Sequence, residues 1–508
     1  MNVIILLSGS SSRFFNEGYK VPKFSIKING KSILKYIISN FDTKNDNFIF
    51  ICRRDFYNNK DYNIKKDIHD TCKQYKIYLI DSHKLGPVYS LKKFSTKIKN
   101  LKNVIINYCD FFWIWKYDKF KSWLKKNEID AAALCYKGFH PHYINPLKFA
   151  YVKTKKNSII KVKEKESFTN NRENEPAMSG TFYFRSGRLL IDACDKIIRN
   201  KDKVKNEYYV SLLFNYLFNK KKYIYLIDYF FQWGTPSDIK QYFSWQENLS
   251  INKKVNLRSF QNILMMAGKG KRLSKIQNIK KPYIQLQNKA LMYEYLNSNI
   301  ISKNKKVLIN GDLIDYEKLN HNNYESILVG NTKSQLSSLE KFFEKNLNFK
   351  KDFFVSPCDC KIYFKYRDLL KLIKNKSRYD VIVFTFDGYE YANQYPSQFG
   401  WIKKNNNYQI IKFLHKPKKK NLNSEVITGF FLFNKNLKYT KLINEYFKKN
   451  KKNKLEHSID MFVDYLNKKK YNVYYLSVEN FLCLGTEKEY LIYDYWKKAH
   501  KKIKFKKK

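Results

Sequence analysis

Small residues follow a short hydrophobic stretch at the start of the sequence, and a similar arrangement recurs near the middle of the chain. The first reads S-G-S-S-S-R and the second reads A-G-K-G-K-R. Small side chains let the backbone turn tightly, so that its N–H groups can face a phosphate chain. We therefore predict two nucleotide-binding turns. Their residues are Ser8, Gly9, Ser10 and Ser11 in the first turn, and Ala267, Gly268 and Gly270 in the second.

Each turn is followed by two basic residues. Arg13 and Lys23 follow the first turn, and Arg272 and Lys281 follow the second. A dinucleotide-binding turn would instead need a third glycine, where helix and strand pack closely. Two fixed cations behind a phosphate-binding turn suit a triphosphate, because its negative charge rises during group transfer. We therefore predict that these four residues are catalytic.

Further matches between the two halves follow in the same order along the chain. I-N-Y-C-D-F-F matches V-S-P-C-D-C-K, M-S-G-T-F-Y-F matches I-T-G-F-F-L-F, and Q-W-G-T-P-S-D matches C-L-G-T-E-K-E. The offset between matched residues drifts by only about ten residues, which chance would not produce. We infer two copies of one domain. The predicted boundaries are residues 1–247 for the first copy, 248–259 for a linker, 260–497 for the second copy and 498–508 for a basic tail.

The composition is basic and also rich in hydrophobic residues. The 508 residues include 98 Lys and Arg against 45 Asp and Glu, which gives a formal net charge of +53. Lys, Asn, Ile, Tyr and Phe are all frequent along the whole chain, so we attribute the charge to a compositional bias and predict no specific nucleic-acid partner. A hydrophobic content of 44% excludes an intrinsically disordered chain. A polyanion-binding module is a remote alternative that rests on charge alone.

The eight cysteines are scattered without framework spacing, which is typical of a reducing compartment. No apolar run approaches the roughly 20 residues of a spanning helix, and no basic segment precedes the first apolar run. We expect a cytoplasmic protein without a membrane span. Cys358 and Cys360 have no second pair nearby in the sequence, so we predict two buried thiols rather than a zinc site. His140 and His142 lack a third ligand and are predicted to be loop residues.

Short runs rich in β-branched and aromatic residues alternate with helical stretches. In the first copy, V-I-I-L-L precedes a helical stretch over residues 32–41, and F-I-F-I-C precedes one over residues 64–75. This order predicts an α/β fold with two tandem, mainly parallel sheets, helices on both faces, and ligand sites at the carboxyl ends of the strands. F-A-Y-V-K-T-K and S-I-I-K-V-K-E predict an inserted β-hairpin. Asn206 is predicted to cap a further helix.

The two turns and the residues after them resemble the signature of a known family, the sugar-nucleotide-forming nucleotidyltransferases. That signature has the form G-x-G-x-R followed by P-K, and V-P-K at residues 21–23 and K-K-P at residues 280–282 are similar to its second element. The resemblance covers nearly the whole of both copies and implies Rossmann-like sheets of the GT-A type. In the first copy, N-E-Y-Y-V-S-L-L and W-G-T-P-S-D are typical of the branch found in loci for capsule and surface polysaccharides.

The resemblance implies an in-line attack by a phosphate oxygen of a sugar phosphate, or of a phosphorylated alcohol, on the α-phosphorus of a nucleoside triphosphate, with release of pyrophosphate. Asp110 and Asp359 would hold Mg²⁺, since this hard cation prefers carboxylate oxygen. Arg13 and Lys23 would clamp the β- and α-phosphates. The other residues that the resemblance assigns are Gly86 and Ser334 beside the nucleotide, and Glu164, Lys165, Gly180, Lys416 and Gly429 beside the acceptor.

Four residues depart from the family pattern. Ser11 replaces the second glycine of the first turn, which the backbone tolerates if φ is negative there. The second metal-binding aspartate of many relatives is replaced by Gln232 in one copy and by Cys483 in the other, so we expect one metal carboxylate in each. His415 replaces the glutamate that matches Glu164, so the acceptor pocket of the second copy must differ.

Two alternatives to a pair of active nucleotidyltransferase domains stay open. One active domain could be joined to a degenerate domain that binds nucleotide or regulates, and His415 and Cys483 make the second copy the weaker one. A glycosyltransferase that uses a nucleotide sugar has a similar sheet, but neither D-F-F nor D-C-K supplies its usual D-x-D metal motif. The sequence does not specify the nucleotide, the acceptor or the oligomeric state. The resemblance alone implies a role in the synthesis of surface-polysaccharide precursors.

Overall fold

Strands of β-branched and aromatic residues alternate with helices in both halves of the chain. The computed structural model describes residues 1–144, 149–250, 255–268, 273, 284–286, 289–290, 300–301, 305–310, 324–346, 349–376, 378–419, 421, 423–451 and 457–506. The chain divides into two units, Met1–Phe243 and Ser244–Lys508. Each unit has its own nine-stranded sheet.

The first unit is an alternating series of strands and helices. Its strands are β1 (Asn2–Leu7), β2 (Lys27–Ile28), β3 (Lys31–Ser32), β4 (Asn47–Arg53), β5 (Tyr75–Ile80), β6 (Lys102–Asn107), β7 (Phe111–Ile114), β8 (Ala131–Tyr136), β9 (Ala150–Lys155), β10 (Ser158–Glu164), β11 (Ala177–Ser186), β12 (Lys222–Leu226) and β13 (Tyr229–Gln232). Its α-helices are Ser12–Asn16, Ile33–Ile38, Arg54–Asn58, Ile64–His69, Pro87–Lys93, Ser95–Ile98, Tyr117–Lys126, Gly187–Arg199 and Pro236–Ser250, the last of which contains the point of division.

β1 lies in the parallel part of the first sheet. The strand order is β5-β4-β1-β6-β11-β8-β12-β10-β9. β1 pairs in parallel with β4, where Leu7 faces Cys52, and with β6, where Ile5 faces Asn107. β11 runs antiparallel to β6 and to β8. Because β1 and β6 are parallel neighbours, the segments that follow them lie at the same edge of the sheet.

Burial on both faces explains why β1 is a continuous hydrophobic run. Ile4 and Leu6 point into a core that also contains Leu190 and Ile197 of the helix Gly187–Arg199. The buried residues of this helix recur every three or four positions, so one stripe of the helix faces the sheet. The intervening Ile5 is also fully buried. A parallel strand that is covered on both faces needs this composition.

The second unit repeats the alternation of strands and helices. Its strands are β14 (Val255–Asn256), β15 (Gln261–Met265), β16 (Gln285–Leu286), β17 (Lys289–Ala290), β18 (Ile300–Ile301), β19 (Lys305–Ile309), β20 (Glu325–Leu328), β21 (Phe353–Pro357), β22 (Cys360–Tyr363), β23 (Val381–Phe386), β24 (Gly400–Lys404), β25 (Ile410–His415), β26 (Ser424–Phe433), β27 (Val473–Ser477) and β28 (Asn480–Cys483). The α-helices among its described residues are Gln335–Lys345, Tyr366–Asn375, Glu390–Gln394, Tyr439–Lys449, Ile459–Lys468 and Glu487–Lys506.

The two sheets have corresponding strand orders. The second follows β20-β19-β15-β21-β26-β23-β27, and β24 pairs with β25 and β26. β15 is parallel to β19 and β21, and β26 is antiparallel to β21 and β23. β15 therefore takes the place of β1, β21 that of β6, and β26 that of β11. The predicted α/β fold is confirmed, and so is the hairpin, which β9 and β10 form with Ala150 opposite Glu164.

The prediction that Asn206 caps a helix is wrong. Asn206 lies in a tight turn with a φ of 65°, beside a bridge between the backbones of Val204 and Glu207. A 3-10 helix begins only at Val210. Asn tolerates this left-handed conformation better than most residues, which also explains its presence in the turn.

Candidate functional site

The first turn, Lys23 and Asp110 meet at the carboxyl edge of the first sheet. Ser8 to Ser11 follow β1, while Asp110 comes shortly after the neighbouring β6. The Nζ atom of Lys23 lies 2.8 Å from Oδ2 of Asp110. A Cβ atom placed on Gly9 would lie 3.7 Å from the same Nζ, so the turn borders the Lys23 ammonium group. The structure thus brings three of the predicted elements together.

The ion pair fixes the protonation of Lys23. Burial disfavours a charged ammonium group, but the negative charge of Asp110 and its hydrogen bond outweigh this effect and raise the pKa of Lys23. Lys23 is therefore a permanent cation at neutral pH. Asp110 stays partly exposed on its other side, which leaves room for a ligand.

Two glycines allow the chain to approach Asp110 and its neighbours closely. A Cβ atom on Gly234 would lie 3.3 Å from Oδ2 of Asp110, and the N–H group of Trp233 donates a hydrogen bond of 2.9 Å to the carbonyl oxygen of Asp110. Gly180 has a φ of 102°, and its Cβ would lie 2.6 Å from the ring of Phe111. Because Gly180 has no side chain, the ring of Phe111, the residue after Asp110, can pack against its backbone.

The condition of a negative φ, under which the backbone would tolerate Ser11 in place of glycine, is not met. Ser11 has a φ of 55° and precedes the helix Ser12–Asn16. Its Oγ accepts a hydrogen bond of 3.1 Å from the N–H group of Lys23. This contact links the turn to Lys23 and offsets part of the cost of a left-handed conformation.

Substitutions at Ser11 separate these two effects. Ser11→Ala and Ser11→Gly both lose the hydrogen bond, but only Gly relieves the left-handed strain. We expect the Gly variant to be more stable than the Ala variant by about 1 kcal/mol, measured by urea unfolding. The same pair of variants at Ser10 should give the opposite order, because Gly is the more flexible residue in the unfolded chain. Equal stabilities of Ser11→Ala and Ser11→Gly would show that the left-handed conformation at this position costs nothing.

The segment around Gly86 is connected to the first turn by hydrogen bonds. Ser8 Oγ lies 2.8 Å from Ser90 Oγ, which in turn lies 2.8 Å from Nε2 of His83. Gly86 has a φ of 85° and begins the helix Pro87–Lys93. The N–H group of Tyr208 donates a hydrogen bond of 3.0 Å to the carbonyl oxygen of Leu85, and the carbonyl oxygen of Tyr208 accepts one of 3.2 Å from the N–H group of Val88. His83 is not among the predicted residues, since no motif contains it, and the contact between Ser8 and Ser90 joins residues that are 82 positions apart.

The predicted acceptor residues Glu164 and Lys165 lie together with the segment that contains Tyr209. The hydroxyl of Ser211 donates a hydrogen bond of 2.6 Å to Glu164, and Lys165 Nζ donates one to the hydroxyl of Tyr209. Burial raises the pKa of Glu164 to about 7, although Ser211 and Lys165 oppose the rise. Arg13 is exposed on the helix after the turn. Its positive charge acts to lower the pKa values of Lys23, Lys165 and Tyr209, so Arg13 lies within electrostatic range of all three side chains.

One buried oxygen near Asp110 has no hydrogen-bond partner among the described residues. It is Oε1 of Gln232, which faces Phe111 across β7 and β13. The resemblance places a second acidic metal ligand at the position of Gln232. An amide oxygen is a hard donor that suits Mg²⁺, as a carboxylate does. The residues at this place therefore fit a magnesium ion.

Both predicted loop histidines are buried; His140 lies in a loop, as predicted, whereas His142 lies in the short 3-10 helix Pro141–Ile144. Nε2 of His140 lies 2.6 Å from the carbonyl oxygen of Phe230, Nε2 of His142 lies 2.8 Å from the hydroxyl of Tyr136, and the two rings are hydrogen-bonded to each other. Burial lowers the pKa of His140 to about 3. The pair thus joins a core of aromatic rings, and its nitrogens have protein partners.

Some of the predicted residues of the second unit lie outside the described residues, namely Gly270, Arg272 and Lys281. Ala267 and Gly268 follow β15. The side-chain amide of Asn310 donates a hydrogen bond of 2.9 Å to the carbonyl oxygen of Ala267. Ser334 caps the helix Gln335–Lys345 by accepting from the N–H group of Ser337. Lys416 is exposed with a φ of 47°, a conformation that it shares with Lys165, and Gly429 has a φ of 83°.

Asp359 has the same backbone surroundings as Asp110. The N–H group of Leu484 donates a hydrogen bond of 2.8 Å to the carbonyl oxygen of Asp359. A Cβ atom on Gly485 would lie 3.2 Å from Oδ2 of Asp359. Its side-chain neighbours differ, because Cys360 and Cys483 lie beside it. Asp359 is buried, and so are Cys358 and Cys360, as predicted for the two thiols.

His415 is held between two carboxylates in the second unit. Nδ1 lies 3.1 Å from Asp460 and Nε2 lies 2.9 Å from Asp464. Burial opposes a charged ring, but the two hydrogen bonds outweigh it and raise the pKa of His415 to about 9. The second unit thus has a cation where the first unit has Glu164.

This pair of contacts predicts pH-dependent stability of the second unit. Because the folded pKa of about 9 exceeds the unfolded value of about 6.5, the stabilisation is complete below about pH 6.5 and is lost as pH rises through about 9. The difference in melting temperature between the protein and its His415→Asn variant should therefore shrink as pH rises. The exposed His69→Asn serves as a control. A difference that is equal at both ends of this range would contradict the charged imidazole.

Comparison with known proteins adds a sequence relationship for one unit. Residues 261–497 match the family model described as nucleotidyl transferase. None of the curated proteins matches the sequence. Among the helices of the described residues, none is long and apolar enough to cross a membrane.

Several solved structures are similar to part of this chain. One is the nucleoside-diphosphate-sugar pyrophosphorylase from Vibrio cholerae RC9, with 18% identity over 47% of this chain and 98% of that chain and a TM-score of 0.39. Another is the inositol-1-phosphate CTP transferase from T. maritima, with 15% identity, coverages of 48% and 98%, and a TM-score of 0.35. A third is HddC from Yersinia pseudotuberculosis, with 18% identity, coverages of 47% and 96%, and a TM-score of 0.33. The match to the nucleotidyl transferase family model lies within the second unit, at residues 261–497.

Proposed function

We propose that this protein transfers a nucleotidyl group from a nucleoside triphosphate to the phosphate of a sugar phosphate or phosphorylated alcohol, with release of pyrophosphate. The observation that carries the proposal is the meeting of the first turn, Lys23 and Asp110 at one sheet edge, with Gly9 and Gly234 against the ion pair. The nucleotidyl transferase match of residues 261–497 supports the same class of reaction.

Lys23 and Asp110 exchange partners when substrate binds. Their side chains form an ion pair at 2.8 Å. Triphosphate oxygens compete with Asp110 for the Lys23 ammonium group, and Arg13 offers a second cation at the same place. The protein contributes by holding the reacting groups in line and by neutralising the charge that develops on the leaving pyrophosphate.

Asp110 and Gln232 would together hold Mg²⁺. The free side of the Asp110 carboxylate and the unpartnered amide oxygen of Gln232 are both hard oxygen donors. When bound, this cation would neutralise the phosphate groups and orient them for attack. Binding of triphosphate oxygens to Lys23 would free the Asp110 carboxylate to hold such a cation.

Glu164 and Lys165 are the residues proposed to bind the acceptor. Because the pKa of Glu164 is about 7, its carboxyl group is neutral below this pH and ionised above it. A carboxylate accepts stronger hydrogen bonds from sugar hydroxyls than a neutral acid does. The KM for the acceptor should therefore rise as pH falls through about 7, and the rise should be smaller in Glu164→Gln. Ionisation of the acceptor phosphate affects the protein and its Glu164→Gln variant equally, so it cannot cause a difference between them. Parallel pH profiles of KM for the two proteins would therefore contradict this assignment.

The two units are proposed to be a tandem duplication. Their corresponding strand orders and the matched backbone hydrogen bonds at Asp110 and Asp359 support this origin. We assign catalysis to the first unit, because Asp110 is partly exposed whereas Asp359 is buried beside two thiols. The second unit then binds nucleotide or regulates the first. A role in surface-polysaccharide precursor synthesis rests on the sequence likeness alone.

The experiment that tests the proposed function measures pyrophosphate release by the full chain. Each common nucleoside triphosphate is combined with Mg²⁺ and a panel of hexose 1-phosphates, heptose phosphates and phosphorylated alcohols. Release that requires both a nucleotide and one acceptor, with formation of the sugar nucleotide, would support the proposal. Nucleotide binding without release for any pair would contradict it and would favour a glycosyltransferase or a binding role.

A further inference from the structure

Two thiols and a carboxylate form a buried cluster in the second unit. Cys360 and Cys483 face each other across the antiparallel strands β22 and β28, and their Sγ atoms are 3.1 Å apart. Oδ1 of Asp359 lies 3.6 Å from Cys360 Sγ. The possible ligand atoms of these three residues all lie within 4.8 Å of one another.

A second carboxylate supports this cluster from one side. Glu489 is buried and accepts hydrogen bonds of 2.6 Å from the hydroxyl of Tyr389 and 3.0 Å from the hydroxyl of Thr486. The thiol of Cys483 also lies within hydrogen-bonding reach of Glu489. Two hydroxyl donors thus fix the Glu489 carboxylate, and it in turn orients Cys483.

We propose that Cys360, Cys483 and Asp359 bind a divalent cation of the zinc class. Sulfur ligands favour such borderline-soft cations, whereas Mg²⁺ prefers an all-oxygen environment. Three close donors suit a tetrahedral site whose fourth position is taken by water or another ligand. Glu489 is a positioning residue for Cys483. The cluster occupies the place where the resemblance puts the Mg²⁺ site of the second unit, and the proposal assigns a different cation to that place. It does not depend on the transfer reaction, which is assigned to the first unit.

The binding step releases two protons. The cation forms one bond to each sulfur and one to an Asp359 oxygen, and the two S–H bonds break with their protons passing to solvent. A 2+ ion with two thiolates and one carboxylate leaves one negative charge on the site. No oxidant or reductant is required.

The first unit lacks thiols at the two corresponding positions. There Phe111 faces Gln232 across β7 and β13, in the way that Cys360 faces Cys483. The first unit therefore offers oxygen donors beside Asp110, and the second offers sulfur donors beside Asp359. This difference predicts that the two units select different cations.

The test uses Co²⁺ as a spectroscopic substitute for Zn²⁺ in the reduced full-length protein. Thiolate ligands give Co²⁺ an intense charge-transfer absorption in the near ultraviolet, and tetrahedral geometry gives strong visible bands. We expect these bands to saturate at one Co²⁺ per chain, to be lost on adding Zn²⁺, and to resist excess Mg²⁺. Absence of the charge-transfer band, or its loss on adding Mg²⁺, would overturn the proposal.

Cysteine variants locate the bound cation. Cys360→Ser and Cys483→Ser should lower the Co²⁺ affinity by more than the roughly 10–100-fold that loss of a supporting residue costs. Cys358→Ser removes a buried thiol two residues away and should leave the absorption unchanged. Glu489→Gln should weaken binding by about 10–100-fold while keeping the band shape. Unchanged binding in both Cys360→Ser and Cys483→Ser, with folding verified by circular dichroism, would overturn the site.

Discussion

Asp110→Asn should lower the rate of pyrophosphate release by about 100-fold to 1000-fold, the range observed when one electrostatic contact to a transition state is removed. The substitution keeps the shape of the side chain but removes the charge that is paired with Lys23 at 2.8 Å. It also replaces the charged one of the two proposed oxygen ligands for Mg²⁺ by a neutral amide oxygen, which binds the cation more weakly. The measurement is turnover at saturating nucleotide and acceptor, over a range of Mg²⁺ concentrations.

Two further variants make the result at Asp110 specific. Asp118→Asn alters a carboxylate whose side chain is 93% exposed on the helix Tyr117–Lys126, and it should leave turnover unchanged. Asp359→Asn tests the second unit in the same assay, where we expect most of the activity to remain. If Asp359→Asn abolishes turnover and Asp110→Asn does not, the second unit is the working copy and our assignment is wrong.

Gly86→Ala should destabilise the first unit strongly and reduce its affinity for nucleotide. A Cβ atom at this position would lie 2.8 Å from both the backbone nitrogen and the backbone oxygen of Tyr208. Neither atom belongs to a flexible side chain, so the two segments must separate. Adding the cost of a left-handed conformation to that of overpacking gives about 3 kcal/mol. Urea unfolding and nucleotide titration measure the two effects.

Gly18→Ala is the matched control for Gly86→Ala. Gly18 has nearly the same φ, 84°, but an added Cβ would meet nothing within 4 Å. Its substitution should cost only the conformational part, about 1 kcal/mol, and should not affect nucleotide binding. Equal losses of stability in the two variants would show that the contact with Tyr208 is unimportant.

The sequence predicts the elements of the fold better than the contacts between them. Buried parallel strands are continuous hydrophobic runs, so β1 and β4 can be recognised without a structure. Lys23 and Asp110 could each be proposed from a motif, because each stands next to a turn or a strand end. Their direct ion pair could not be predicted, since it depends on β1 and β6 being neighbours in the sheet.

Other features depend on partners that only the folded chain brings together. Cys360 and Cys483 are 123 residues apart, and only the pairing of β22 with β28 reveals them as neighbours. The positive φ at Ser11 is accompanied by a contact with the backbone of Lys23, twelve residues later. Composition and spacing carry no information on either point. Long-range pairing therefore limits how much of the site the sequence can disclose.

The ion pair between Lys23 and Asp110 also bears on which anions this site would hold. Inorganic phosphate is a common competitor at any cationic pocket, and a bare ammonium group would attract it. Here a carboxylate already occupies that ammonium group at 2.8 Å. A small anion must displace Asp110 and leave its charge uncompensated, whereas a triphosphate that arrives with a divalent cation gives both side chains a new partner. Under the proposed function, we therefore expect the pair to discriminate against simple phosphates before any base or sugar is recognised.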